Sequence, residues 1–143
     1  MKRQVKELQP RDRDWIQQSA VNGRQICHHY GVSPTTSVSP AILDTVFHAW
    51  WHDKGSDRVS IEDVVNGLGC LFGELLRGKF DTVWRIVTDK FGTDLMLEVK
   101  LPTNNLEIAP LSFVAKRAES KEDESGFFTA MESMLLRESK QGA

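Results

Sequence analysis

A chain of 143 residues, 40% hydrophobic and 27% charged, has the size and composition of one globular domain, which argues against fibrous and disordered classes. Its formal net charge of -2 gives no general attraction to phosphate backbones, so no nucleic acid is expected as partner. Apolar runs are too short to span a bilayer and MKRQVKELQP lacks the apolar stretch of a secretory signal, so a cytoplasmic protein with no membrane partner is expected.

The start is basic, with Lys2, Arg3, Lys6, Arg11 and Arg13. Pro10 suits a first helical position, and Trp15, Ile16, Ala20, Gly23, Ile26, Cys27 and Tyr30 recur at helical spacing, predicting a helix over 10–29 that Gly31 ends. GVSPTTSVSP is a connector. Ser39 as N-cap and Pro40 open a second helix ending near 54, with Ile42, Leu43, Val46, Phe47 and Trp50 on its core face. His48 and His52 fall together on the opposite side, beside Trp51 and Asp44.

Ser60 and Asp63 approximate a capping box for a third helix, whose apolar stripe runs from Val64 to Leu76 and ends at Gly78. Gly67, Gly69 and Gly73 within it each cost about 1 kcal/mol relative to alanine, which points to close backbone approach; Gly69 and Gly73 are expected against the sheet. The period then changes to two. TVWRIVTD reads as a central strand and TDLMLEVKL as a strand with one wetter face, joined by a loop over 89–93 containing Gly92. LEIA after Pro102 reads as a short third strand. In PLSFVAKR, Pro110 favours a helix while Leu111, Phe113 and Ala115 leave a strand open, and ESGFFTAMESMLLRESK closes the chain as a helix with acids in its first turn. The expectation is one α+β domain over residues 1–143, with N-terminal helices (1–59) packed on a small antiparallel β-meander and a C-terminal helix (within 60–139).

Motifs for catalysis are weak. GLGCLFG lies inside a capped helix, not in a strand–turn–helix phosphate loop. His48 and His52, four residues apart, place two imidazoles on one helix face as metal sites require, but Ala49 stands where a zinc protease has its glutamate. A third ligand would have to come from Cys27, His28 or His29, so neither a metal nor a cofactor is assigned. There is no Gly-x-Ser-x-Gly elbow, and adjacent Cys27 and His28 do not face each other on a helix. The two cysteines, Cys27 and Cys70, are read as reduced thiols, Cys27 as a buried structural one. No catalytic residue is assigned. Trp51 is read either as covered by neighbouring segments or as an aromatic partner contact.

The series Gly69, Phe72-Gly73-Glu74, Trp84, Asp89, Phe91-Gly92-Thr93-Asp94-Leu95, Pro110 and Val114-Ala115-Lys116-Arg117 resembles a family of small bacterial domains of unknown function. The resemblance covers 69–117 and implies a bacterial source and an α+β fold rather than a reaction. Its signature positions (Gly69, Gly73, Glu74, Trp84, Asp89, Gly92, Lys116, Arg117) read as shared core, with Glu74 paired to Lys116 or Arg117. The layout is also similar to that of small proteins that neutralise bacterial toxins. The expected function is thus a non-enzymatic protein-binding module, an immunity-type protein for a cognate toxin, with Trp51, His48, His52, Glu119, Glu122, Asp123 and Glu124 as the partner-binding residues. The alternatives are a metal-binding protein or enzyme using His48 and His52 with Cys27 or His28, and a housekeeping structural or regulatory module, homodimeric through Trp51. The oligomeric state stays open.

Overall fold

The computed structural model describes residues 2–141. In chain order it contains β1 (Gln4–Glu7), α1 (Pro10–His29), α2 (Pro40–His52), α3 (Ile61–Arg77), β2 (Thr82–Asp89), β3 (Gly92–Lys100), β4 (Asn105–Ile108), α4 (Pro110–Ala118) and α5 (Phe127–Lys140). The fold is α+β, a four-stranded antiparallel sheet in the order β1-β2-β3-β4 with α3 and α4 against it, α1 and α2 packed on α3, and α5 on α2.

Strand register decides which side chains reach the core. Trp84 lies opposite Leu97, and Leu97 opposite Ile108, so one rung across three strands points into the apolar cluster shared with the helices. Val83, Arg85, Met96 and Glu98 alternate onto the other face, the wetter side expected of β3. β1 has no counterpart in the sequence pattern. Its four residues are all exposed, so it carries no apolar alternation, and only pairing of Val5 with Val87 along the outer edge of β2 makes it a strand.

Local signals start most of the helices. The backbone N–H of Gln9 donates to Asp12 at 2.8 Å ahead of Pro10, the Ser39 hydroxyl accepts from Ile42, and that of Ser60 accepts from Asp63. α2 stops at His52 instead of near 54, because Asp53 turns into an extended conformation and accepts a hydrogen bond from the Tyr30 hydroxyl at 2.9 Å. The hairpin is tighter than the expected five-residue loop. Asp89 pairs directly with Gly92, leaving Lys90 and Phe91 as the turn, and Gly92 adopts φ 123. The ambiguous segment after Pro110 is helical, its first turn closed by Phe113 N–H donating to the Ala109 carbonyl at 2.8 Å.

α3 is the packing hub, set against α1, α4 and β2, and its glycines are what let it approach. A Cβ on Gly23 of α1 would sit 2.3 Å from the Gly67 carbonyl oxygen, and a Cβ on Gly73 would sit 2.3 Å from the Trp84 ring. Gly69, expected against the sheet with Gly73, instead meets the backbone of Pro110 and Leu111 in α4. Helix–helix contact through Gly69 and helix–sheet contact through Gly73 point to different neighbours because four residues advance the helix by slightly more than one turn.

α5 starts differently. The acids expected in its first turn lie ahead of it, since the helix begins at Phe127 after Gly126 at φ 105. Asp44 of α2 substitutes for them: its carboxylate accepts from the backbone N–H groups of Gly126 (3.1 Å), Phe128 (2.9 Å) and Thr129 (3.1 Å), and from the Thr129 hydroxyl. A negative side chain from another helix thus satisfies the free donors at the α5 N-terminus. Phe127 and Phe128 follow at once and pack edge-on against Phe47 (4.8 Å) and Phe72 (5.0 Å).

Substitution at Gly73 and at Asp44 tests these contacts. Gly73→Ala drives a methyl into the Trp84 ring and is expected to lower unfolding free energy by about 1–3 kcal/mol. Asp44→Ala strips the α5 cap and is expected to cost about 2 kcal/mol. Urea denaturation followed by far-UV circular dichroism reads both as a lower midpoint at unchanged slope; an unchanged midpoint would contradict the close contact or the cap concerned.

Candidate functional site

On α2, Asp44, His48 and His52 recur every four residues and share one stripe. The residue that His48 and His52 meet lies far along the chain. Asp123, in the segment between α4 and α5, brings one oxygen, Oδ2, to 2.5 Å from His48 Nδ1 and 2.8 Å from His52 Nε2. Its other oxygen, Oδ1, accepts the Ser125 backbone N–H at 2.9 Å and the Ser125 hydroxyl. The two imidazole centroids are 4.4 Å apart, with the rings inclined at 57°.

The electrostatics follow from these partners. Partial burial pushes the Asp123 carboxyl up, but the two Ser125 donors and the two imidazoles outweigh it and hold the group at about 2. Asp123 is therefore an anion at neutral pH, and both ring nitrogens facing it act as donors. The imidazole side chains are 59% and 52% exposed while Asp123 is 16% exposed, so the carboxylate forms the floor of the cluster and the rings form its rim. Trp51 is half-buried, packed on the core and edge-on to His52 at 5.1 Å. Glu119, Glu122 and Glu124 are exposed along the segment that carries Asp123.

The third group beside the histidines is thus Asp123, and the expected donors from α1 lie elsewhere. Cys27 is buried in the core, His28 Nδ1 is 3.2 Å from the Val32 carbonyl, and the His29 ring stands edge-on to Tyr30. Glu74 also departs from expectation. It pairs with Arg77 one turn on (3.0 Å) and accepts the Trp84 indole N–H at 3.1 Å, so neither Lys116 nor Arg117 is its partner. Arg117 lies over the Phe113 and Phe127 rings, and Lys116 is exposed. Asp89 accepts the Phe91 backbone N–H across the hairpin turn. Apart from the exposed Lys116, these signature residues make contacts within the fold, whereas the cluster at Asp123 presents polar groups to solvent.

A concavity of about 350 Å³ apart from this cluster is lined by Arg13, Arg77, Arg85, Glu7, Glu74 and Trp84. Two of its arginines face Glu7 or Glu74, so its charges are largely matched within the chain.

Both thiols are chemically quiet. Burial pushes Cys27 up to about 11 and Cys70 up to about 12. At pH 8 the thiolate fraction of the folded chain is therefore small, and Ellman's reagent is expected to label neither cysteine until guanidinium unfolds the protein. Stoichiometric labelling of the native state would show that a thiol is accessible and ionised.

Among the described residues, no helix is long and apolar enough to cross a membrane. No curated protein and no solved structure matches the chain. The family model described as "Domain of unknown function (DUF3806)" matches residues 47–126, a span that includes His48, His52, Trp84, Glu74 and Asp123. As that match runs over more than half of the sequence, from the middle of α2 to the residue before α5, the chain belongs to the DUF3806 family.

Proposed function

We propose that this chain is a non-enzymatic protein-binding module, an immunity-type protein of the bacterial cytoplasm that neutralises a cognate toxin by direct binding. The observation that carries this reading is the convergence of two distant stretches on one surface: Trp51, His48 and His52 from α2, and the acidic segment Glu119–Glu124 that is fastened to them through Asp123. Glu122 and Glu124 flank Asp123 and face solvent, giving a negative rim beside a partly covered aromatic. Such a surface is complementary to a partner whose working site is lined with cations.

The chemistry of the cluster favours binding over turnover. A carboxylate held at about 2 by four donors is a weak base at neutral pH. Positioned charges of this kind steer association and select partners instead.

The test is isothermal titration of the chain against the purified product of the adjacent gene. Glu119→Lys, Glu122→Lys and Glu124→Lys together replace only exposed side chains, so folding is expected to survive. Affinity is expected to fall by about 10-fold to 100-fold, with a weaker dependence on salt than in the parent chain. Unchanged affinity in the triple variant would remove the acidic segment from the interface, and a gene neighbourhood lacking any toxin or secretion gene would overturn the immunity reading.

A further inference from the structure

We propose that His48, His52 and Asp123 form a binding site for one transition-metal dication, with zinc the best fit. One ligand atom from each lies within 4.8 Å of the others. At zinc bond lengths of about 2.0–2.2 Å, tetrahedral ligand atoms stand about 3.4 Å apart. His48 Nδ1 and His52 Nε2 already converge on Asp123 Oδ2 at 2.5 and 2.8 Å, so these separations have to widen by about 0.9 and about 0.6 Å to admit a metal between them. The exposed position of the rings permits that movement.

Three further features make this a built site. The histidines are one helical turn apart on a regular helix, which fixes their spacing. The carboxylate is aimed from its far side by Ser125, whose N–H and hydroxyl bind Oδ1 and leave Oδ2 for the metal, as outer hydrogen bonds orient carboxylate ligands elsewhere. The segment bearing Asp123 is anchored in turn, because Asp44, one turn before His48, holds Gly126, Phe128 and Thr129. Two imidazoles and one carboxylate suit zinc, cobalt, nickel or copper and do not suit calcium or magnesium, which prefer all-oxygen sites.

Binding would exchange donors for lone pairs. Each ring nitrogen that now donates to Oδ2 would turn its lone pair to the metal, the proton moving to the ring's other nitrogen on the solvent side, so no net proton is released from neutral imidazoles. Three protein ligands leave a fourth position facing solvent, for water or for a donor from another molecule. The site stands apart from the protein-binding reading, since it is measured on the isolated chain with no partner present.

The experiment uses tag-free full-length protein stripped with chelator and then titrated with cobalt chloride, followed by displacement with zinc chloride in the calorimeter. One equivalent is expected, with the visible absorption of four- or five-coordinate cobalt and micromolar or tighter affinity for zinc. His48→Gln and His52→Gln are each expected to weaken zinc binding at least about 100-fold, and Asp123→Asn, which keeps an acceptor for Ser125, by about 10-fold to 100-fold. His28→Gln is expected to change nothing. Circular dichroism of each variant checks that the fold is kept, and the stoichiometry, affinity and cobalt spectrum of the parent chain decide the question if a variant misfolds. Millimolar affinity, cobalt spectra of an octahedral aquo ion, or full binding by the folded His48→Gln and His52→Gln chains would overturn the proposal.

Discussion

The carboxylate of Asp44 ties α2 to the start of α5. α5 begins without a side-chain cap of its own, so its first N–H groups need an acceptor from elsewhere, and a helix end buried without one is costly. Asp44 supplies it from α2, more than eighty residues earlier. Everything local depends on that contact: Phe127 and Phe128 enter the core immediately beyond the cap, and Asp123 and Ser125 lie immediately before it. The same stripe of α2 that binds the helix end therefore also determines what stands opposite His48 and His52.

A second constraint acts at α3. α3 has to approach both α1 and the sheet closely, and three of its positions carry no side chain. At Gly67 the neighbour is the Gly23 backbone, at Gly69 the α4 backbone, and at Gly73 the Trp84 ring. Each of these positions lowers intrinsic helix stability, yet α3 is buried along most of its length and its stability comes from packing. Glu74 sits beside Gly73 and accepts the indole N–H of the same Trp84, so the ring is fixed at its benzo carbons, which lie against Gly73, and at its polar N–H at once.

Much of this architecture was legible because its causes are local. The Pro10, Ser39–Pro40 and Ser60 helix starts, the change of period after Gly78 and the alternation of Leu95, Leu97 and Val99 all act within a few residues. What escaped reading depends on distant partners. QVKE is exposed throughout and becomes a strand only by pairing with β2. The start of α5 is displaced from the acids near Glu124 to Phe127 because its cap comes from α2. Glu74 takes the nearer Arg77 over the remote Lys116 and Arg117, since an i,i+3 pair requires little ordering. At the site, the paired histidines were visible from their spacing, and a polar stripe of Asp44, His48 and His52 on an otherwise apolar helix was the available signal that something polar must lie across from it. Nothing local identified Asp123 as that residue, because it was one of four acids in a short solvent-facing run.

The distinction between Asp123 and its neighbours is physical. Glu119, Glu122 and Glu124 keep their water, and a solvated carboxylate on a surface interacts with a cation only weakly. Asp123 has given up most of its solvent for four directed donors, two from Ser125 and two from α2. Loss of hydration alone would raise its proton affinity; the donors reverse that and leave an anion whose orientation is fixed before any ligand arrives. An oriented anion beneath two exposed imidazoles binds a cation with less reorganisation than a free side chain would need. The same fixed charge makes the surrounding surface negative in a defined place. Metal binding and recognition of a basic protein would therefore use one structural property, the immobilised carboxylate of Asp123, while differing in what else takes part: the imidazole lone pairs of His48 and His52 for the metal, and the exposed glutamates and Trp51 alongside the two histidines for the protein.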